Sequence, residues 1–169
     1  MKKFLTAALA LVLLLTLAAC GGREGKEDPS GSPALYGVSE VQSVVDAGAF
    51  SESLEEVDAD TAFALYKLAD YGLERENMYD ASVIRSAGAT CEEMAVLCFD
   101  SEEQASKAVE ALEDYVAGQI TANEDYRPAE IPKLENALVK QLQHTVLLLV
   151  ANDYEAAAMT AAFCGFGMG

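Results

Sequence analysis

Two short apolar runs, Glu93 to Phe99 (EMAVLCF) and Val146 to Val150 (VLLLV), constrain the fold of this chain more than any other feature. Both have the length of a strand and not of a core helix. In the first, Met94, Val96 and Cys98 point one way while Glu93, Ala95, Leu97 and Phe99 point the other, so the run is apolar on both faces over most of its length. The second lies inside a candidate strand, His144 to Ala151, and reads as a central strand covered on at least one face. Met78 to Ser86 reads as a further strand, joined to the first run by the turn Ala87 to Thr90 as an antiparallel hairpin. Leu134 to Leu142 supplies a fourth.

Helical spacing separates and flanks these runs. Ala105, Ala108, Val109, Leu112, Val116 and Ile120 recur every three or four residues, which predicts a long amphipathic helix opened by a capping box of Ser101 and Gln104. Glu102 and Glu103 sit at its positive end, where carboxylates are favoured. A short helix is expected from Ser39, capped by Gln42, over Val41 to Val45 and closed by Gly48. A second is expected over about Asp60 to Asp70, ending at Gly72. The segment between them (SESLEEVDA) either extends a helix or links the two. Asn123 to Lys133, with Pro128 and Pro132, reads as a polar connection, and Asn152 with Glu155 as the cap of a last, alanine-rich helix to about Phe163. The order α-α-β-β-α-β-β-α predicts a two-layer α+β sandwich. Its sheet is four-stranded and mainly antiparallel, with helices packed on one face.

The first 19 residues have the zones of a secretory leader. Lys2 and Lys3 precede the apolar stretch Phe4 to Leu17, and Leu17-Ala18-Ala19-Cys20 closes it. The stretch is shorter than the roughly 20 residues a bilayer-crossing helix needs. The closing quartet resembles the lipobox of bacterial lipoproteins. That resemblance implies a diacylglycerol thioether on Cys20, cleavage just before it, and anchoring on the extracytoplasmic face of the cell membrane. The two acyl chains of the diacylglycerol, with a third where the new amino end is acylated too, would make such attachment firm. Residues 20–35, rich in Gly, Pro, Ser and charge, cannot bury enough apolar surface to order themselves and read as a tether. Residues 36–164 then form a single domain, and 165–169 a glycine-rich tail.

Charge excludes several functions. Without its leader the chain sets nine basic residues against 28 acidic ones, a formal charge of −19. Such a surface repels phosphate backbones, so no nucleic-acid partner is expected. Cys91, Cys98 and Cys164 remain beside the lipidated cysteine; an odd count cannot pair fully, and Cys98 reads as a small buried hydrophobe. His144, the only histidine, falls at an expected hairpin turn and reads as exposed. The sequence carries no HExxH, GxSxG, phosphate-loop or calcium-loop motif, and it points to no catalytic residue, no cofactor and no metal.

Several short motifs carry a resemblance. Leu65-Tyr66 before Gly72, Glu92 to Val96 ahead of Phe99, and Ser101 to Ala117 come first in order. Gln119, Tyr126-Arg127-Pro128 and Val146 to Val150 follow. From about Val38 to Phe163 the chain resembles the domain of unknown function numbered 4358, a family of small lipoproteins from Gram-positive, mostly clostridial, bacteria. The resemblance implies a location and an order of elements but no activity. The family centres the turn between its last two strands on glycine, where this chain has Gln141 to His144.

Few residues suggest a site. Glu92 and Glu93 are adjacent, so their side chains diverge and do not form a catalytic dyad. If Glu93 is buried it needs a partner, either Arg85 across the hairpin or the amide of Gln119. Tyr126 and Arg127, with Pro128, either rim a groove beside the long helix or simply form a turn. Three functions compete. A non-catalytic domain binding an envelope protein or wall component needs an exposed aromatic patch. A small-solute-binding or sensory lipoprotein needs a concave pocket with convergent polar groups. A carboxylate-dependent enzyme needs two carboxylates near one cleft.

Overall fold

The run Glu93–Phe99 forms strand β3 and is buried at every position. Covering it on both sides determines the architecture. The computed structural model describes residues 36–37 and 39–165, which belong to one compact unit. The leader, Cys20, the tether, the side chain of Cys164 and residues 166–169 of the tail lie outside what is described.

The elements are α1 (Ser39–Asp46), β1 (Glu55–Val57), α2 (Ala59–Leu65), β2 (Met78–Arg85), β3, α3 (Glu102–Asn123), α4 (Ile131–Glu135), β4 (Leu138–Leu142), β5 (Thr145–Val150) and α5 (Tyr154–Gly165), with 3-10 turns at Leu68–Tyr71, Arg75–Asn77 and Pro128–Glu130. The fold class is α+β, with an antiparallel sheet in the order β1-β2-β3-β5-β4. That makes five strands and not four. The extra strand, β1, lies in the segment read as helix extension or linker. Only three residues long and carrying two exposed glutamates, it is held as an edge by pairing with Val83 to Arg85 of β2.

Helices cover both faces, which corrects the expectation of one. Ala95, Leu97 and Phe99 of β3, with Val146, Leu148 and Val150 of β5, pack against Tyr66, Leu68, Ala108 and Leu112. The alternate residues Met94, Val96, Cys98, Leu147 and Leu149 pack against Val41 and Val44 of α1 and Ala157 and Ala161 of α5. The doubly apolar strand therefore finds cover twice, and each fully buried large side chain contributes about 1.5–3 kcal/mol. Cys98 lies on the second face, buried as expected.

Local signals were mostly honoured, with instructive exceptions. Ser101 caps α3 by accepting the Gln104 amide at 3.3 Å, but Gln104 Oε1 is buried without a partner, so the box is half made. The last helix is capped by Asp153, whose Oδ1 accepts the Ala156 amide at 3.0 Å, and not by Asn152. The second helix is shorter than expected: α2 ends at Leu65, and Lys67, at φ 53°, reverses the chain into the 3-10 turn that Gly72 (φ 74°) closes. The connection after α3 folds into the turn Pro128–Glu130 and helix α4, each opened by a proline that suits a first turn. Between β4 and β5 a two-residue loop closes on Gln143, which takes φ 54°, the left-handed conformation that glycine adopts most easily. His144 is half-buried there beside Tyr79, ring centroids 6.1 Å apart.

Candidate functional site

Strand β3 opens with Glu93, Glu92 stands just before it, and the fold buries both. The hairpin register sets Arg85 opposite Glu93. The Arg85 Nε lies 3.8 Å from Glu93 Oε2, so the expected partner is present but distant. The strong contacts are phenolic. Tyr66 of the α2 end donates its hydroxyl to Oε1 at 2.5 Å, and Tyr115 of α3 donates to Oε2 at 2.8 Å. The two rings meet edge to face, centroids 5.1 Å apart at 83°. The Gln119 amide, the other proposed partner, turns to Asn123 instead: its Oε1 accepts from Asn123 Nδ2 at 3.5 Å, and the Gln119 backbone carbonyl accepts from the same group at 2.7 Å.

Burial dominates the electrostatics of this knot. Glu93, with its side chain 4 % exposed, is held above the ordinary glutamate value of 4.5 because desolvation outweighs the two phenol bonds and the charge of Arg85. Desolvation also pushes the Tyr66 and Tyr115 hydroxyls well up, reinforced by the charge of Glu93, so both stay protonated donors.

Glu92 is neutralised differently. Its carboxylate, 0 % exposed, accepts the Ser51 amide at 2.8 Å and the Ser51 hydroxyl, and pairs with Lys133 Nζ at 2.7 Å. Lys133 also reaches Glu130 at 3.2 Å, and Glu130 accepts the Cys91 amide at 2.8 Å. Burial alone would lower the pKa of Lys133, but its bonds to Glu92 and Glu130 and their charges more than offset this and raise it. Arg127 joins the same region, donating to Asn123 Oδ1 at 2.7 Å and to the carbonyls of Gly88 and Thr90 at 3.0 and 3.4 Å. This is a pinned loop, with Arg127 acting as its clasp.

Beside the Glu93 knot lies a cleft of about 370 Å³ between the α2 end with its 3-10 turn and helix α3. Its accessible wall comes from Tyr71, Asp114, Tyr115, Gly118 and Gln119, with Tyr66 almost wholly buried behind them. Tyr71 donates its hydroxyl to Asp114 Oδ2 at 2.5 Å. Gly118 stands inside α3, where glycine costs about 0.5–1 kcal/mol against alanine. A Cβ built there meets nothing within 4 Å, so packing does not require glycine. Its absence leaves the cleft open.

The four residues singled out from sequence thus divide. Glu93, Gln119 and Arg127 line one small cavity of about 50 Å³ that adjoins the cleft through Tyr115 and Gln119. Tyr126 is 90 % exposed and borders neither. Sequence reasoning missed Tyr66, Tyr71, Asp114, Tyr115, Glu130 and Lys133. The usable signal was chemical: a buried glutamate in a chain poor in cations needs neutral donors, and seven tyrosines are the obvious supply. A hollow of about 450 Å³ on the other face, near Val41, Phe50 and Ile84, is less organised. Of its two carboxylates, Glu52 is already taken by Ser86 and Thr90, and Glu56 lies exposed on the edge strand. Among the described residues, no three His, Cys, Asp or Glu side chains group to hold a metal, and no helix is long and apolar enough to cross a membrane.

Fold and site together define a class: an α+β domain with a doubly covered antiparallel sheet and a tyrosine-lined cleft on one face. The chain belongs to the family described as domain of unknown function (DUF4358), whose profile matches residues 51–151. The matched span runs through β1 to β5 and includes the whole cleft, while α1 and α5, which cover the second face, lie outside it. No curated protein and no solved structure gives a match.

Glu93 carries a testable pH signature. Its raised pKa means that the folded state holds the Glu93 proton more tightly than the unfolded chain does, so its contribution is fullest below the ordinary value of 4.5 and is lost as pH rises through the folded-state value. Chemical denaturation between pH 4 and 8 is expected to show wild type losing stability relative to Glu93→Gln as pH rises. Parallel profiles for the two proteins would show that Glu93 is ionised as easily folded as unfolded.

Proposed function

We propose that this protein is an extracytoplasmic lipoprotein, anchored in the cell membrane through lipid on Cys20, whose domain works by binding and not by catalysis. The leader and the Leu17-to-Cys20 quartet support the anchor. The cleft between the α2 end and α3 supports a small-solute-binding or sensory role, because it combines a usable volume with convergent polar groups. That observation carries the reading. Docking of an envelope protein or wall component has weaker support. The exposed large apolar side chains Val45, Tyr79, Tyr126, Tyr154 and Met159 come from four separate segments, and Tyr126 projects alone. Carboxylate catalysis has less still, because Glu92 and Glu93 are each spent on buried partners.

Gly118→Leu fills the cleft without touching the core. Ligand-observed NMR of the full chain against a panel of small polar solutes is expected to give at least one ligand whose binding falls tenfold or more in this variant, with thermal stability equal or higher. Ligands bound equally by wild type and variant would place binding elsewhere. For the anchor, mass spectrometry of membrane-extracted protein is expected to find diacylglycerol on an N-terminal Cys20, and Cys20→Ala to leave the membrane fraction. An intact leader on the mature chain would contradict this.

A further inference from the structure

We propose that the cleft takes an organic cation, an ammonium group carried on a small apolar body; this rests on the cleft being the binding site. Tyr66 and Tyr115 donate their hydroxyl hydrogens to Glu93, and Tyr71 donates its own to Asp114. Each hydroxyl has one hydrogen to give, so all three tyrosines of the cleft have spent theirs on carboxylates. Tyr66 is buried behind the wall, and the Tyr115 oxygen also accepts from Arg85 Nη2 at 3.5 Å, so what the cleft still offers a ligand is the Tyr71 lone pairs and the electron-rich rings of Tyr71 and Tyr115, which attract positive charge. A phenol bonded to a carboxylate is more electron-rich than one bonded to water, which strengthens that bias.

Charge runs the same way. Asp114 is an exposed carboxylate on the cleft wall with Tyr71 as its only hydrogen-bond partner among the described residues, which leaves acceptor positions for an ammonium. Lys67, exposed at the rim, is the one cationic lining residue, and the net charge of the chain raises the local concentration of cations around the whole domain. Gly118 supplies the independent observation. Its empty Cβ position lies one turn from Asp114 on the same helix face and opens room beside the carboxylate, where helix stability alone would favour alanine. Leu65, half-buried, adds apolar wall for the body of such a ligand.

The test is saturation-transfer NMR of the full chain with tetramethylammonium, n-butylammonium, acetate and glucose at equal concentration. Both ammonium probes are expected to bind, at least tenfold more weakly in Asp114→Asn and in Gly118→Leu. They should bind unchanged in Glu113→Gln, which removes a neighbouring exposed charge outside the cleft. Acetate and glucose are expected to give no transfer. If Glu113→Gln weakens the probes as much as Asp114→Asn, the attraction is diffuse and the proposal fails. If acetate or glucose binds and is lost only in Gly118→Leu, the cleft is a binding site of another chemistry, and only the cation assignment falls. If no probe of any charge responds to Gly118→Leu, both readings fall.

Discussion

A carboxylate with almost no exposure, held by two phenols from two different helices, is the interaction on which the rest of one face depends. Glu93 stands at the head of a strand buried throughout, so its carboxylate is almost wholly withdrawn from bulk water and must find donors inside. Tyr66 reaches it from the end of α2 and Tyr115 from the middle of α3. Meeting at one carboxylate, the two side chains fix the separation of the helices and therefore the width of the cleft between them. The edge-to-face contact of their rings then leaves Tyr115 as a wall shared by the knot and the cleft.

The neighbouring glutamate shows the alternative solution to the same problem. Glu92 is neutralised by an ammonium, Lys133, that a second carboxylate, Glu130, helps to position. Removing one member of such a buried set would leave a bare charge, at a cost of about 3–5 kcal/mol. The set joins the segment before β1, the head of β3 and helix α4, which are far apart in sequence. One knot uses neutral donors and the other an opposite charge. The difference follows position: Lys133 sits on a short helix at the domain edge, while Glu93 faces two aromatic helix surfaces. Only the second arrangement leaves a recess with polar walls beside it.

Much of the scaffold was legible in the residues. The two apolar runs became β3 and β5, the three- and four-residue spacing became α3, and Arg85 was rightly set across from Glu93. What failed was whatever tertiary pairing decides. Strand β1 has no apolar run of its own and exists because β2 presents an open edge. Helices α1 and α5 were read individually, but nothing in their spacing says which face of the sheet they cover. The last cap moved one residue because Asn152 and Asp153 are both competent and geometry chose between them. Tyr66 falls at helical spacing with Phe63, where it reads as one more apolar position and its hydroxyl gives no sign of itself; its bond to Glu93 spans 27 residues and that of Tyr115 spans 22. Gly118 gave no signal as a breaker because α3 simply runs through it.

The central claim is that two phenolic hydrogens are locked onto Glu93, and proton NMR observes them directly. The account requires two downfield hydroxyl resonances that exchange slowly with solvent. One should vanish in Tyr66→Phe and the other in Tyr115→Phe. A wild-type protein in which both hydroxyl protons exchange freely with water would contradict it.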